Sequence, residues 1–142
     1  MTLKRGNHCV YQTHYHIVFP VKYRIALISE PIVKYIKEIA VKISERYELE
    51  IEELGCDDSH LHLLSSFHPK YSIGQVVRLF KSITARELFR QFPEVKKDLW
   101  GGEFWSDGYY AATIGERGKM KTLEKYIRSQ GKQPEDVQLR LL

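Results

Sequence analysis

The sequence predicts an α+β fold in which segments follow in the order β-α-β-β-α-β, with one further helix at the C-terminal end. Three observations lead there. Stretches rich in aromatic and β-branched residues alternate with stretches whose apolar residues recur every three to four positions. Capping and turn residues separate them. The 142 residues, with 43% hydrophobic content, suffice for one domain with a core. That element order is the order of a ferredoxin-like or RRM-like sandwich, one antiparallel sheet with two helices on one side. The opposite sheet face is then left for another purpose.

"CVYQTHYHIVFPV" predicts a first strand that ends near Pro20. From Pro31 the period changes to helical: Ile32, Ile36, Ile39, Ala40, Ile43 and Tyr47 share a face, and Lys34, Glu38 and Lys42 form an i, i+4 ladder on another. Ser29 is in N-cap position. "ELEIEELG" predicts a short strand, and a turn over Cys56 to Ser59 joins it as a hairpin to a strand from His60 to Phe67. A second helix starts at an N-cap Ser72, carries an apolar face that runs through Ile73, Val76, Val77 and Phe80 and onward to Leu88, and stops before Pro93. "EFWSDGYYAATIG" predicts strand with a turn at Asp107 and Gly108, and residues 119–129 a last helix closed by Gly131. The whole chain, 1–142, reads as one domain with loose termini at 1–9 and 133–142, free of repeats.

Composition narrows the function classes. With 22 Lys and Arg against 18 Asp and Glu, the net charge of +4 makes a nucleic-acid surface only if basic residues cluster. Cys9 and Cys56 sit in no disulfide or zinc spacing. The charged N-terminus has no apolar segment after it and no run approaches a membrane span, so a soluble cytoplasmic domain is expected.

Two features carry chemistry. In "DSHLHLL", His60 and His62 alternate with Leu61 and Leu63, so both imidazoles face one side of a strand, where two nitrogens can hold a metal. An H-x-H pair alone is weak, because "THYHIVF" holds another, His14 and His16; the apolar flank of Leu61, Leu63 and Leu64 distinguishes the later pair. In "KMKTLEKYIRSQG", Tyr126 and Gln130 stand one helical turn apart beside the stripe Met120, Leu123, Ile127. Such a tyrosine is commonly a boundary residue. Brought to two imidazoles, a phenol and an amide oxygen would make a nucleophile beside a mixed nitrogen and oxygen site. That donor set suits Mn²⁺ or Mg²⁺ better than a closed zinc site.

The segments "YHIVFPVKYR", "HLHLL", "LFKSITARELF", "LWGGEFWSDGYYAATIG" and "EKYIRSQ", in this order and spacing, resemble the single-tyrosine HUH transposases of insertion sequences that move as single-stranded DNA. The resemblance runs from about Tyr11 to Gln130. It implies Tyr126 as nucleophile and His60, His62 and Gln130 as ligands of a divalent metal, Mg²⁺ or Mn²⁺. It also implies cleavage and rejoining through a 5′-phosphotyrosine, recognition of subterminal DNA hairpins, and a homodimer that exchanges its C-terminal helices across the "TIGERGKMK" linker with Gly115 and Gly118. Two positions depart from the family's usual pattern. Ser59 stands where Asp commonly precedes the first histidine, with Asp58 one residue earlier, which leaves open what orients the His60 ring. Ser82 replaces the glycine that often follows the lysine of the second helix.

DNA contacts are expected from Lys22, Arg24, Arg78, Lys81, Arg117, Lys119 and Lys121, interleaved with Tyr23, Phe80, Trp100 and Trp105 for base stacking. A non-catalytic nucleic-acid-binding module on the same fold is the alternative; it would bind DNA without metal and form no adduct. A phosphoesterase using both H-x-H pairs ranks behind it, because Val18 and Leu64 stand where Ser or Thr would be expected two residues after each second histidine.

Overall fold

The structure, a computed structural model, describes residues 3–6, 8–99, 102–115 and 117–129, with the backbone alone for 117–120. An antiparallel ribbon of β1 (Lys4–Gly6) and β2 (Cys9–Tyr11) comes first. The main sheet contains β3 (Tyr15–Pro20), β4 (Leu49–Cys56), β5 (His60–Phe67) and β6 (Tyr110–Thr113) in the spatial order β4-β5-β3-β6, every neighbouring pair antiparallel. Helices α1 (Glu30–Arg46) and α2 (Ile73–Gln91) intervene between strands, and α3 (Arg117–Arg128) follows β6. This is the predicted sandwich with its additional C-terminal helix.

One sheet face and the two long helices form the core. Ile17 and Phe19 of β3 and Leu61, Leu63 and Phe67 of β5 meet the stripes Ile32, Ile36, Ile39, Ile43 of α1 and Val76, Val77, Phe80, Leu88 of α2. Each such side chain contributes about 1.5–3 kcal/mol when fully buried. Ser72 caps α2 reciprocally with Gln75: the Gln75 N–H donates to Ser72 Oγ at 3.0 Å, and the Ser72 N–H to Gln75 Oε1 at 2.8 Å. Ser29 takes the extended N-cap backbone of α1, but its side chain makes no capping bond, so Pro31 in the first turn sets the start.

Local differences from the sequence expectation have local causes. The first strand is not continuous: it breaks at residues 12–14, so that residues 9–11 pair with 4–6 in the separate ribbon, after a turn at His8 with φ 63°, and only β3 joins the main sheet. The N-terminal residues expected to be loose therefore include a paired strand. A 3₁₀ turn, Pro93–Asp98, follows α2. β6 keeps only Tyr110–Thr113, because the preceding loop is tied to the end of β3 by a bridge between Val21 and Trp105 and by the Ser106 N–H to Pro20 carbonyl bond, 2.9 Å. Gly131 and the tail lie outside the described residues. Among the described residues no helix is long and apolar enough to cross a membrane.

Candidate functional site

β5 is buried on both faces along its length, and its alternation divides the faces by chemistry. Leu61, Leu63 and Phe67 enter the helix-side core, while Leu64 and, by the same alternation, His60 and His62 point the other way. His60 is 1% exposed and is oriented at Nδ1, which lies 3.0 Å from Ser59 Oγ and 3.2 Å from Asp57 Oδ1. The same Asp57 oxygen accepts the backbone N–H of Ser59 at 2.9 Å and of His60 at 2.6 Å. The side chain of Asp57 thus closes the β4–β5 turn and orients the His60 ring together. This answers the question left by Ser59: the carboxylate comes from Asp57, while Asp58 is exposed. Sequence reasoning passed over Asp57; the signal was its place in the hairpin turn, three residues before the histidine.

His62 is also 1% exposed, and its Nδ1 stands 3.4 Å from Nε2 of His16 on neighbouring β3. Burial lowers the His62 pKa to about 3, with the nearby His16 adding to the effect, and lowers that of His16 to about 4. Both rings are neutral at physiological pH, the state in which imidazole binds metal. His62 Nε2 is a buried nitrogen with no hydrogen-bond partner among the described residues.

The third component arrives on α3, which occupies the sheet face that α1 and α2 leave open. Ile127, fully buried, packs with Leu64, and Leu123, Tyr126 and Ile114 complete this small second core. The helix comes so close to β4 that a Cβ on Gly55 would lie 2.1 Å from the Ile127 carbonyl oxygen, so only glycine permits the approach. Arg128 pairs with Glu53 at 2.8 Å beside it. The result places the Tyr126 ring 6.3 Å from the His62 ring, centroid to centroid, at 61°.

The other predicted residues divide. His14 and His16 lie on the same sheet face, but His14 is paired with Glu52 at 2.6 Å, and His16 meets His62 directly, so the two H-x-H pairs do not flank a gap that a phosphate could enter. The Glu52 carboxyl is raised by burial, against the lowering effect of His14. Arg24, Arg78 and Lys121 are exposed; Lys22 pairs with Glu103 at 3.0 Å. Lys81 donates to the carbonyls of Ser106 and Gly108, each at 2.7 Å, and with Arg78, Glu103, Trp105 and Asp107 lines an open cleft. Arg117 and Lys119 belong to α3, but their side chains lie outside the description, as do Trp100 and Gln130. The stacking expectation is corrected at two positions. Phe80 and Trp105 are 1% and 4% exposed, and the indole N–H of Trp105 donates to Thr84 inside the core, so neither ring can receive a base. Tyr23 is 59% exposed, in a left-handed backbone conformation of φ 61°.

A divalent cation fits the donor set without being closed in by it. Nδ1 is committed on both rings, to Asp57 and Ser59 for His60 and to His16 for His62, so Nε2 is the atom each can offer. Among the described residues no group of three or more His, Cys, Asp or Glu could hold a metal. Two imidazoles alone would leave positions for oxygen ligands.

Comparison with known proteins identifies the family and the fold. Residues 9–130 match the family described as "Transposase IS200 like". The chain is 33% identical over 130 residues to the ISDra2 transposase TnpA of Deinococcus radiodurans, covering 92% of both chains. It is 30% identical over 123 residues to the transposase for insertion sequence element IS200 of Salmonella typhimurium, covering 87% of this chain and 80% of that one. A crystal structure of a Deinococcus radiodurans R1 protein described as a transposase superposes with a TM-score of 0.72 at 30% identity, covering 89% of this chain and 97% of that one. A REP-associated tyrosine transposase bound to a REP hairpin shares the fold at a TM-score of 0.61 and 12% identity, covering 91% and 72%. By sequence along nearly its whole length and by fold, the chain belongs to the IS200-like transposases and is a DNA transposase.

Proposed function

We propose that this transposase cleaves and rejoins single-stranded DNA at sites flanked by hairpins, with Tyr126 as nucleophile and with His60, His62 and Gln130 as ligands of Mg²⁺ or Mn²⁺. One observation carries the reading: the Tyr126 ring stands beside His62, whose buried Nε2 has no hydrogen-bond partner among the described residues. The hairpin-bound fold neighbour supports the choice of substrate. Exposed Arg24, Arg78 and Lys121 are the proposed phosphate contacts, together with Lys22, Lys81, Arg117 and Lys119.

The Tyr126 oxygen attacks phosphorus, losing its proton; a P–O bond forms to the phenol and the bond to the 3′ oxygen breaks. That oxygen takes up a proton and leaves as a 3′-hydroxyl, while the 5′ side remains on Tyr126 as a phosphodiester. A 3′-hydroxyl from another strand reverses the step, so no nucleotide triphosphate is needed. A bound divalent cation would supply positive charge where the phosphoryl oxygens gain negative charge. His60 and His62, locked by their Nδ1 partners, hold their Nε2 atoms in place, and burial keeps His62 neutral.

Incubation with labelled single-stranded hairpin DNA and Mn²⁺, followed by a denaturing gel, tests the proposal. A covalent adduct is expected, lost on chelation and in Tyr126→Phe, while hairpin binding survives. An adduct that persists in Tyr126→Phe would reassign the nucleophile.

A further inference from the structure

The contact between His62 and His16 has a direction that the structure determines. The two rings are tilted by only 20° and their centroids lie 5.7 Å apart, yet facing nitrogens approach to 3.4 Å, so the rings meet edge to edge along an N–H···N line. One neutral ring must donate and the other accept. Donation by His16 Nε2 would require a bare Nδ1 on His62 and put its proton on Nε2. That N–H would then be buried with nothing to receive it among the described residues, an arrangement native proteins rarely keep. Donation by His62 Nδ1–H avoids the buried, unpaired N–H: His16 accepts, and the His62 Nε2 carries a lone pair on a ring whose centroid lies 6.3 Å from that of Tyr126.

We infer that His16 is a positioning residue that fixes His62 as the Nδ1–H tautomer and aims its Nε2 lone pair into the site. His16 has no substrate contact in this role; it acts through His62, as Asp57 acts through His60. Its own position is fixed from both sides. β3 pairs it with Leu64 of β5 and Ala112 of β6, and Tyr110 meets its ring edge-on at 6.0 Å. The use made of that lone pair rests on the proposed metal site, whereas the tautomer does not.

The test uses metal-free, full-length protein with ¹⁵N-labelled histidine, in which long-range ¹H–¹⁵N spectra distinguish protonated from bare ring nitrogens. Wild-type His62 is expected to carry its proton on Nδ1. In His16→Asn the amide is too short to accept, and the proton should move wholly or partly to Nε2. In His16→Gln, whose Oε1 can take the place of the histidine Nε2, the Nδ1–H form should return. Mn²⁺ titration of the same samples should show about a 10–100-fold loss of affinity in His16→Asn, with recovery in His16→Gln. A merely structural His16 would treat the two amides alike, and equal spectra for them would overturn the inference. So would a wild-type His62 protonated on Nε2. Failure of the wild type to bind Mn²⁺ would overturn the metal proposal instead, and the spectra would still decide the tautomer.

Discussion

Asp57 concentrates several tasks in one carboxylate: it accepts two backbone N–H groups of the hairpin turn and meets the His60 imidazole. Asp57→Ala leaves those donors unmet, and a buried donor without a partner costs roughly 1–3 kcal/mol. We predict a lowered melting temperature together with about a 10–100-fold weaker Mn²⁺ affinity. Asp57→Asn, which keeps an acceptor oxygen, should recover most of the stability. Thermal melts and calorimetric titration would check both parts, and an Asp57→Ala protein with wild-type metal affinity would remove Asp57 from the site. The buried rings make a second prediction, about pH. His16 and His62 have folded-state pKa values of about 4 and about 3, below the ordinary 6.5. As pH falls below about 6.5, the unfolded chain takes up protons that the folded chain resists, so stability is lost between about 6.5 and 4, with His62 extending the loss toward 3. The loss should be on the order of a few kcal/mol. Urea midpoints measured across that range should fall less steeply in His16→Gln than in the wild type.

At the scale of elements, the seat of α3 depends on Gly55. We predict that Gly55→Ala displaces the helix, because its Cβ would be 2.1 Å from the Ile127 carbonyl oxygen, and backbone there cannot yield without moving Tyr126. Adduct formation should drop by at least about tenfold, while the main sheet, whose core lies on the other face, keeps its far-ultraviolet spectrum and hairpin binding. Wild-type adduct yield in Gly55→Ala would mean that α3 acts from another position. Gly55 also marks where sequence reading stops. β5 and the two long helices were legible because their signals are local: alternation over His60–Phe67, a helical stripe from Ile32 to Ile43, and an N-cap Ser72 directly ahead of the stripe that begins at Ile73. Gly55 reads in sequence as a strand residue of no special kind, since the atom that forbids a side chain there is 72 positions away in Ile127. Trp105 failed as a stacking residue for the same reason: what buries it, the packing against Phe19 and Thr84, is assembled from segments far apart in the chain. Phe80 had a local signal against stacking, because it lies on the apolar stripe of α2 with Val76 and Val77. The histidines and Tyr126 could be selected in sequence, but the groups that orient them could not.

The whole molecule raises the question of which chain's tyrosine serves which pair of histidines. In the single chain α3 docks on its own sheet, with Tyr126 beside its own His62 and Arg128 on its own Glu53. We propose a homodimer in which the helix also takes the equivalent seat on the partner. Only a short segment separates β6 from α3. Within it a Cβ added at Gly115 would meet nothing within 4 Å, whereas Gly118 belongs to the first turn of α3 and is no part of the linker. The exposed Arg128–Glu53 pair adds little to hold the helix, so exchange costs mainly the small core that Ile127, Leu123 and Tyr126 form with Leu64, which the partner's sheet would replace. A mixed dimer of His60→Ala and Tyr126→Phe chains carrying different tags, each variant inactive alone, separates the two arrangements. If the helix acts in trans, one site combines intact histidines from the Tyr126→Phe chain with the intact tyrosine of the His60→Ala chain. Cleavage then returns, and the DNA adduct is found on the His60→Ala chain only. If it acts solely where the single chain places it, both sites stay defective, and a mixed dimer that binds hairpin DNA yet forms no adduct would refute the exchange.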